Sequence, residues 1–525
     1  MSESACLRHT EIPHTSKLFL DFQYHFDRVA RFYAGLPSNE SLVNAARQLQ
    51  FPADRRSELV AAVRARNGES ASLELLARPE TVAIVTGQQV GLFGGPAYTI
   101  YKALTAAKLA ERLSTQGIPA VAMFWLATED HDFAEVNHTY VFGPGHHTVR
   151  VSADGSGKGD RPVGPISMDA PPIDELQQAL RAFPYGEEIL TIVRETYPPG
   201  TAFGAGFQAL LQRLLAKYGL LFIDPLDPAI RRMASPVLRA TVQQDDELHR
   251  KLLERSQDLE TAGYHAQVHI EPKTSLVFLL DGERRLVLRR QNGHYVSKDR
   301  RFSARELMDR AEHLSPNAVL RPVVQDYVLP TVAYIGGPAE LAYLAQSQVL
   351  YNELLQPMPL TFSRSAFTIL DAKTSKLMKH YGLALPFFFQ GQEAVREAIG
   401  TKLIPENLAG EFNEIRQSTA DALELLRDHL VSFDATLASA AAKSQSKILY
   451  QLSKIEKKTA REILNRNERA AAEARYTSGL IYPEKHLQER LYSILPFLAK
   501  HGFDLIDALY EHIHVECPDH KVLTV

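Results

Sequence analysis

The chain has few cysteines, and this shortage excludes two kinds of site. Its 525 residues contain two cysteines, Cys6 and Cys517, one near each end. Two such cysteines exclude a disulfide framework and any zinc site with several cysteine ligands. So low a cysteine content is typical of cytoplasmic proteins. We therefore expect no structural zinc.

Long apolar runs and a strong charge bias are also missing. No window approaches the run of about 18 apolar residues that a transmembrane helix needs. The start, "MSESACLRHTEIPHTSKLF", is polar and lacks the apolar core of a secretory signal. The net charge of −4 is small for this length and gives no electrostatic reason to expect nucleic acid or a membrane as a partner. We expect a cytoplasmic protein.

The composition is that of a globular protein with more than one structural unit. Apolar residues make up 45% of the chain and charged residues 23%, and the length exceeds what one ordinary core holds. Helical patterns lie between several short apolar runs, which predicts an α/β fold with a parallel sheet. The predicted strands are Val82–Val85, Ala120–Leu126, Leu220–Ile223, Val332–Ile335 and Leu360–Phe362.

The spacing of these strands predicts two insertions into the core. The second insertion contains "SLVFLLDGERRLVLRR", which predicts a β-hairpin around Asp281-Gly282. We expect a first core part at 1–142, an insertion at 143–218, a core strand within 219–226, a second insertion at 227–322, a second core part at 323–390, a helical coiled coil at 391–480, and a C-terminal segment at 481–525 that packs on the core.

The region after about residue 390 has the pattern of two long helices. Apolar and small residues follow 4-3 spacing with charges between them, which is typical of a coiled-coil seam. Packing of these helices on the protein's own body is one interpretation, and an antiparallel pair that also mediates dimerisation is the other. The seam residues are Phe412, Ile415, Thr419, Ala422 and Leu426, then Ile448, Leu452, Ile455 and Thr459.

The stretch "TGQQVGLFGGPAYTIYKA" joins the first strand to a helix that we expect to begin near Pro96. Glycines let the backbone approach a ligand closely, and the first amides of a helix favour phosphate or carboxylate. The alternative is a tight turn without a ligand, because the spacing matches neither G-x-G-x-x-G nor G-x-x-x-x-G-K-[ST]. Candidate binding residues are Gln88, Gln89, Gly94, Gly95, Tyr98 and Lys102.

The stretch "FWLATEDHDFAEVNH" places Glu129, Asp130, His131 and Asp132 directly after the second strand. In open α/β folds, ligands bind beyond the carboxyl ends of the strands. Carboxylates and an imidazole there could hold a divalent cation, position an amine or act as a general base. We take the four residues as candidate catalytic residues; capping of the next helix by Glu129 or Asp132 is the alternative.

A second strand–Gly-Gly-Pro–helix turn occurs in "TVAYIGGPAELAYLAQ". We expect the two turns to converge on one cleft, although a turn of this kind can also recur by coincidence. Candidate binding residues here are Gly336, Gly337, Glu340, Tyr343 and Gln346, with Gln325 and Asp326 in the preceding "VVQDYVLP" and Arg364 at the end of the last strand.

Four long stretches together resemble one family. They are "TGQQVGLFGGPAYTIYKA", "FWLATEDHDFAEVNHTYV", "LSPNAVLRPVVQDYVLPTVAYIGGPAELAYLAQ" and "HLQERLYSILPFLAKHG". The family is the bacillithiol-biosynthesis cysteine ligases, BshC, and the resemblance covers essentially the whole chain. It implies a Rossmann-like core of the nucleotidylyltransferase type, two connecting insertions, and a long α-helical coiled coil that supports a homodimer.

The resemblance also implies an amide-forming ligase that joins cysteine to glucosaminyl-malate. The cysteine carboxylate would be activated as an acyl-adenylate, with ATP and Mg²⁺ as the candidate cofactors. One residue among Glu129–Asp132 would accept the proton of the attacking amine. The glycine-turn amides would bind phosphate or the malate carboxylates, and Lys102 and Arg364 would add countercharge. The His-x-Gly-His motif of class I ligases is absent from Gly94–Lys102, so the means of activation stays open.

Two other functions are compatible with the same residues. A metal-dependent hydrolase would use the Asp-His-Asp cluster and would contain stoichiometric divalent metal. A nucleotide-sensing dimeric scaffold would be non-catalytic, and its biological activity would survive the loss of Asp130 or His131.

Overall fold

A parallel sheet of five strands forms the centre of the computed structural model, which describes residues 3–154, 159–298 and 300–525. Each strand overlaps one of the five predicted apolar runs, so the predicted α/β core is confirmed. The strands are buried on both faces, which is why their sequences are nearly continuous in apolar residues. In chain order they are β1 (Val82–Gln88), β2 (Ala120–Leu126), β3 (Leu221–Ile223), β4 (Thr331–Gly336) and β5 (Leu360–Ser363).

The strand order β5-β4-β1-β2-β3 creates a topological switch point between β1 and β4. The chain proceeds outward from β1 to β2 and β3, and then returns to the other side of β1. The helix after β1, Tyr98–Thr115, packs on one face of the sheet, and the helix after β4, Pro338–Leu354, packs on the other. Divergence of these helices opens a crevice at the carboxyl ends of β1 and β4, where such sheets bind ligands.

Further helices complete the two outer layers of the core. Asn39–Gln48 joins Tyr98–Thr115 on its face of the sheet. The opposite face is covered by Ala53–Asn67, Pro228–Gln243 and Asp245–Thr261 together with Pro338–Leu354. Trp125 is buried on that face with 1% of its surface exposed.

The segments between the core strands contain small sheets and helices. The hairpin predicted around Asp281-Gly282 is present, with Val277–Asp281 antiparallel to Arg284–Leu286. Leu314–Pro316 pairs with the other edge of Val277–Asp281. The remaining elements of these segments include His138–Phe142, Thr148–Ser152, Ile173–Leu180, Gly186–Thr196, Phe203–Leu214, Arg289–Gln291, His294–Ser297, Arg300–Ser303 and Arg321–Val328.

Two long helices, Glu406–Val431 and Ala435–Arg466, form the predicted helical hairpin. Gln392–Lys402 precedes it and Glu468–Ile481 follows it. Many apolar side chains of the hairpin remain exposed in the monomer; they are Ile415, Leu425, Leu426, Val431, Phe433, Leu437, Ile448, Tyr450 and Ile455.

A second, three-stranded sheet joins the two ends of the chain. Glu3–Leu7 pairs antiparallel with His520–Thr524, which pairs parallel with Phe367–Leu370. Helices Leu495–His501 and Asp504–Glu511 lead into the last strand. Within the described residues, we find no helix with the length and apolar character needed to cross a membrane.

Candidate active site

A cavity of about 440 Å³ lies at the switch point, beyond the carboxyl ends of β1, β2 and β4. Residues that flank the first Gly-Gly-Pro turn, residues of the second turn and residues of the acidic stretch meet in its wall. The predicted site residues that line it are Gln88, Gln89, Tyr98, Lys102, Glu129, Asp130, His131, Gly337, Glu340, Tyr343 and Arg364. The other predicted residues lie outside the wall, and they are Gly94, Gly95, Asp132, Gln325, Asp326, Gly336 and Gln346.

The glycine-rich bend does not present the amides that we expected to bind an anion. The Gly94 and Gly95 amides donate to Gly91 and Leu92 at 3.1 Å each, and the Ala97 amide donates to the Tyr492 carbonyl at 2.7 Å. Gly94 and Gly95 have φ values of 88° and 65°, so the glycines serve a tight turn. The helix begins at Tyr98, two residues after Pro96.

Lys102 connects the two turns across the cavity. Its Nζ donates to the Gly87 carbonyl at 2.9 Å and to Gln88 Oε1 at 2.8 Å, and it forms an ion pair with Glu340. Burial lowers the pKa of the ammonium, while the Glu340 carboxylate opposes that shift. Because its three donors already have protein partners, Lys102 positions the site and has no free donor for a phosphate.

Glu340, the ion-pair partner of Lys102, also accepts hydrogen bonds through both of its carboxylate oxygens. One oxygen accepts from the Gly337 amide at 2.8 Å, and the other accepts from the Tyr334 hydroxyl at 2.7 Å. Burial raises the pKa of this carboxyl, but the Lys102 charge and these hydrogen bonds outweigh burial and leave the pKa below its ordinary value. The Gly337 amide therefore caps its own helix through Glu340.

Asp130 is an ionised carboxylate surrounded by hydrogen-bond donors. It accepts from Gln89 Nε2 at 2.9 Å and from the His131 amide at 2.7 Å, and Arg285 Nη1 lies 3.4 Å away. Burial raises the pKa of Asp130, but the hydrogen bonds from His131 and Gln89 and the Arg285 charge prevail and hold it well below its ordinary value. A carboxylate so strongly stabilised is a poor proton acceptor near neutral pH.

His131 has a defined tautomer because of Arg285. Arg285 Nη1 lies 3.0 Å from His131 Nδ1, and a guanidinium can only donate. Nδ1 therefore accepts from Arg285, which leaves Nε2–H as the donor of the ring. Arg285 in turn is fixed by the Pro316 carbonyl at 2.8 Å and lies over the Phe278 ring at 3.9 Å.

Glu129 is the cavity carboxylate with the loosest protein contacts. It is 5% exposed, and its ion-pair partner Arg231 is 3.7 Å away, beyond hydrogen-bond distance. Of the three acidic residues in the stretch, Glu129 therefore keeps the most freedom to accept a proton from a ligand. Asp132 instead caps the short helix Phe133–Val136 by accepting from the Glu135 amide at 3.2 Å.

Arg321 is a cavity cation without a carboxylate partner among the described residues. It donates to Gln325 Oε1 at 2.8 Å, to the Tyr343 hydroxyl at 2.7 Å and to the Tyr334 hydroxyl at 3.3 Å. These neutral partners orient the guanidinium, and the Glu340 carboxylate acts on its charge without forming an ion pair with it. Arg490, which is exposed, adds a second guanidinium to the same wall.

Arg364, by contrast, is already neutralised. It forms a two-point ion pair with Glu489, at 2.9 and 2.6 Å, and also lies over the Tyr98 ring at 5.2 Å. The positive charge of Arg364, which we expected to bind an anionic ligand, is therefore neutralised by Glu489. The free countercharge of the cavity comes from Arg321 and Arg490.

Four of the predicted residues outside the wall support it from behind. Gln325 accepts from Arg321 and donates to Asp326 at 2.9 Å. Asp326 also accepts from the Tyr351 hydroxyl, and burial raises its pKa. Gln346 bonds the amide and the carbonyl of Val268, each at 2.8 Å, which fastens the second insertion to the Pro338–Leu354 helix. Gly336 accepts from the Arg364 amide at 2.9 Å.

Sequence reasoning missed the arginines Arg285, Arg321 and Arg490. Arg321 precedes the chosen pair Gln325-Asp326 by one helical turn, and the start of helix Arg321–Val328 faces the cavity. A charged residue before the apolar-rich "PVVQDYVLP" was the available signal. Arg285 belongs to the predicted hairpin, and only the tertiary structure brings it next to the acidic stretch.

Two features of the wall bear on ATP and Mg²⁺. The Trp125 indole Nε1 is buried without a hydrogen-bond partner in the described chain, so an acceptor on a ligand would satisfy it. Together with Arg321 and Arg490, this donor fits an anionic, acceptor-rich group. No set of three or more histidine, cysteine, aspartate or glutamate residues arranged to hold a metal occurs within the described residues.

Family models match the chain from end to end. "Bacillithiol biosynthesis BshC, N-terminal Rossmann-like domain" matches residues 5–365, and "Bacillithiol biosynthesis BshC, C-terminal coiled-coil domain" matches residues 367–525. The chain belongs to the BshC family. The BshC match confirms the resemblance and the Rossmann-like and coiled-coil regions expected from it.

Curated BshC relatives span the same length. A protein of Solibacter usitatus is 51% identical over 521 residues, 99% of each chain. A protein of Koribacter versatilis is 35% identical, also over 99% of each chain. One of Salinibacter ruber is 31% identical over 97% of this chain and 96% of its own. Each of the three has the name "Putative cysteine ligase BshC".

Proposed function

We propose that this chain is the cysteine ligase of bacillithiol biosynthesis, which joins the carboxyl group of cysteine to the amine of glucosaminyl-malate. The observation that carries the proposal is the cavity at the switch point, where a loosely held carboxylate occurs together with guanidinium groups that have no ion-pair partner within the described residues. Glucosaminyl-malate needs both, because its two carboxylates require cations and its amine requires a proton acceptor. Full-length membership of the BshC family supports the same reaction.

Arg321 and Arg490 would bind the malate carboxylates. Guanidinium groups match carboxylates through paired hydrogen bonds, and Arg321 is already oriented by Tyr343 and Gln325. Lys102, Glu340 and Arg364 would maintain the wall through their own ion pairs rather than contact the anion directly.

Glu129 would accept the proton that the glucosamine amine releases as the amide bond forms. Asp130 would act as a positioning residue, because it is ionised and holds Gln89 and the His131 backbone. His131 would donate from Nε2–H to an oxygen of the reacting carboxyl. Holding both substrates in reacting geometry would increase the reaction rate further.

ATP would supply the activation of the cysteine carboxylate. The groups able to hold it are Arg321, Arg490 and the Trp125 indole, since the amides of Gly94, Gly95 and Gly337 are bonded within the protein. Mg²⁺ would then be held mainly by the phosphates, as is usual for this ion. The Asp-His-Asp hydrolase gains no support, because Asp132 is a helix cap outside the cavity wall.

We also propose that the protein acts in the cytoplasm as a homodimer. The exposed apolar residues of the helical hairpin support association, because a hairpin with these side chains in water would gain by covering them. Light scattering of the full chain measures the assembly mass.

Metabolite profiling of a deletion strain tests the reaction in the cell. We expect glucosaminyl-malate to accumulate and its cysteine amide to disappear, and we expect the intact gene to restore both. Complementation with Glu129→Gln should leave the accumulation in place. Unchanged bacillithiol in the deletion strain would refute the proposed function.

A further inference from the structure

The two cysteines of the chain lie in contact. Cys6 belongs to strand Glu3–Leu7, and Cys517 lies just before strand His520–Thr524, with which the first strand pairs. This pairing brings the two sulfur atoms to 3.9 Å, although 511 positions separate them in the sequence. A disulfide needs a sulfur separation of about 2 Å, so a small local movement would suffice.

Small molecules in solution can reach this pair. Cys6 is exposed and Cys517 is partly exposed. Cys517 also forms part of the wall of a separate cavity of about 310 Å³, beside Phe22, Tyr24 and Phe26. Neither cysteine belongs to the wall of the active-site cavity.

A buried cation accompanies the two thiols. Lys521 lies directly opposite Cys6 in the strand register and is 2% exposed. Its Nζ has no hydrogen-bond partner in the described part of the chain. Burial lowers the pKa of this ammonium, and Cys517, Cys6 and Asp519 oppose the shift. Burial and Cys517 raise the pKa of the Cys6 thiol, and Lys521 counteracts them.

An ammonium that lies over the Phe367 ring at 5.8 Å but has no hydrogen-bond partner within the described residues can act on neighbouring thiols. The thiolate is the nucleophilic form of cysteine, and a neighbouring lysine stabilises it. Formation of a thiolate on Cys6 or Cys517 would also offer an acceptor to the buried Lys521 ammonium, whose Nζ has no hydrogen-bond partner within the described residues.

We propose that Cys6, Cys517 and Lys521 form a thiol–disulfide exchange site for low-molecular-weight disulfides such as cystine. One protein thiolate attacks a sulfur of the small disulfide, forms a mixed disulfide and releases one small thiolate. The second protein thiolate then attacks the protein sulfur of the mixed disulfide and releases the other. The protein loses two electrons and two protons, and the small disulfide becomes two thiols.

The test uses the reduced full chain and three variants, Cys6→Ser, Cys517→Ser and the double variant. Each is treated with cystine at pH 7, quenched with a thiol-alkylating reagent, and weighed intact by mass spectrometry. We expect the wild type to lose two hydrogen atoms and both alkylation sites. We expect each single variant to gain one cysteine as a mixed disulfide, and the double variant to remain unchanged.

A thermal melt checks that the new bond joins the chain ends. Oxidised wild type should melt at a higher temperature than reduced wild type, because the bond closes almost the whole chain into one loop and restricts the unfolded state. The double variant should melt identically with and without cystine. Wild type that carries one or two cysteine adducts, forms disulfide-linked dimers or keeps both free thiols would overturn the proposal.

Lys521→Met tests the role of the ammonium. Exchange at pH 7 should slow by about threefold for each unit by which the thiol pKa rises, since the thiolate fraction falls faster than its nucleophilicity increases. The folded state of the variant is verified by its melt. An unchanged rate in a folded Lys521→Met protein would remove Lys521 from the site.

Discussion

Arg364 at the end of β5 and Glu489 in the C-terminal segment form a buried, two-point ion pair. Their side chains are 5% and 3% exposed, and the guanidinium nitrogens lie 2.9 and 2.6 Å from the carboxylate oxygens. Glu489 also accepts from the Phe367 amide at 3.0 Å. The pair joins the regions that the two BshC family models match, and it does so at the edge of the active-site cavity.

Loss of one member of this pair should destabilise the protein strongly. Glu489→Ala leaves the Arg364 charge buried without a counter-ion, so we expect the free energy of unfolding to fall by about 3–5 kcal/mol. Urea denaturation measures it. The matched control is Glu424→Ala, which breaks an exposed pair with Arg427 and should cost no more than about 1 kcal/mol. Equal losses in the two variants would contradict a buried, structural ion pair.

Glu129→Gln should lower the rate of amide formation by about 10²–10⁴, the usual effect of losing a general base. The substitution keeps the shape of the side chain, so the melting temperature should change little. Asp132→Asn is the control, because Asp132 belongs to the same acidic stretch but caps a helix outside the cavity. Near-normal product from Glu129→Gln, or an equal loss from Asp132→Asn, would show that the proton acceptor has been misassigned.

Arg321→Lys should weaken binding of the acceptor by about 10- to 100-fold, since hydrogen bonds to charged groups contribute about 1.5–3 kcal/mol. The loss should appear in KM for glucosaminyl-malate. Glucosamine, which lacks the malate carboxylates, serves as the control acceptor, and wild type and variant should use it about equally well. The same loss with both acceptors would mean that Arg321 acts through Tyr343 and Gln325 instead.

The fold and part of the site were predictable from local sequence. Apolar runs locate the five core strands because those strands are buried on both faces, and the rule for open sheets locates Glu129–His131 at the cavity. The arginines and the occupied amides were not predictable. Arg285 reaches His131 only after the hairpin folds back, and the Ala97 amide is used by Tyr492, almost four hundred residues later.

Stability should fall in weakly acidic solution because of buried histidines. Burial lowers the pKa of His9, His146, His501 and His520 from 6.5 to about 4. Between those values the unfolded chain binds protons that the folded chain does not, so the free energy of unfolding falls as the pH falls. We expect the melting temperature to drop from pH 6.5 to pH 4.

Two variants isolate the histidine contribution. His520→Gln removes a titrating ring and keeps a side chain able to bond Thr368, as His520 does at 2.8 Å, so the drop should become shallower. His269→Gln changes a ring that is 85% exposed and should leave the drop unchanged. The pKa of Asp130 lies below its ordinary value of 3.8, so the stabilisation that this carboxylate contributes is lost only at a pH below this range. A melting temperature constant from pH 6.5 to 4 would contradict the buried, neutral histidines.

The most direct test of the account is the mass of the product made by the purified protein. Isotopically labelled cysteine, glucosaminyl-malate, ATP and Mg²⁺ are incubated with the wild type and with Glu129→Gln, and the mixture is analysed by mass spectrometry. The account predicts a labelled product equal to both substrates minus one water, formed by the wild type and nearly absent with the variant. A folded wild-type protein that yields no such product with ATP or any other nucleoside triphosphate would contradict it.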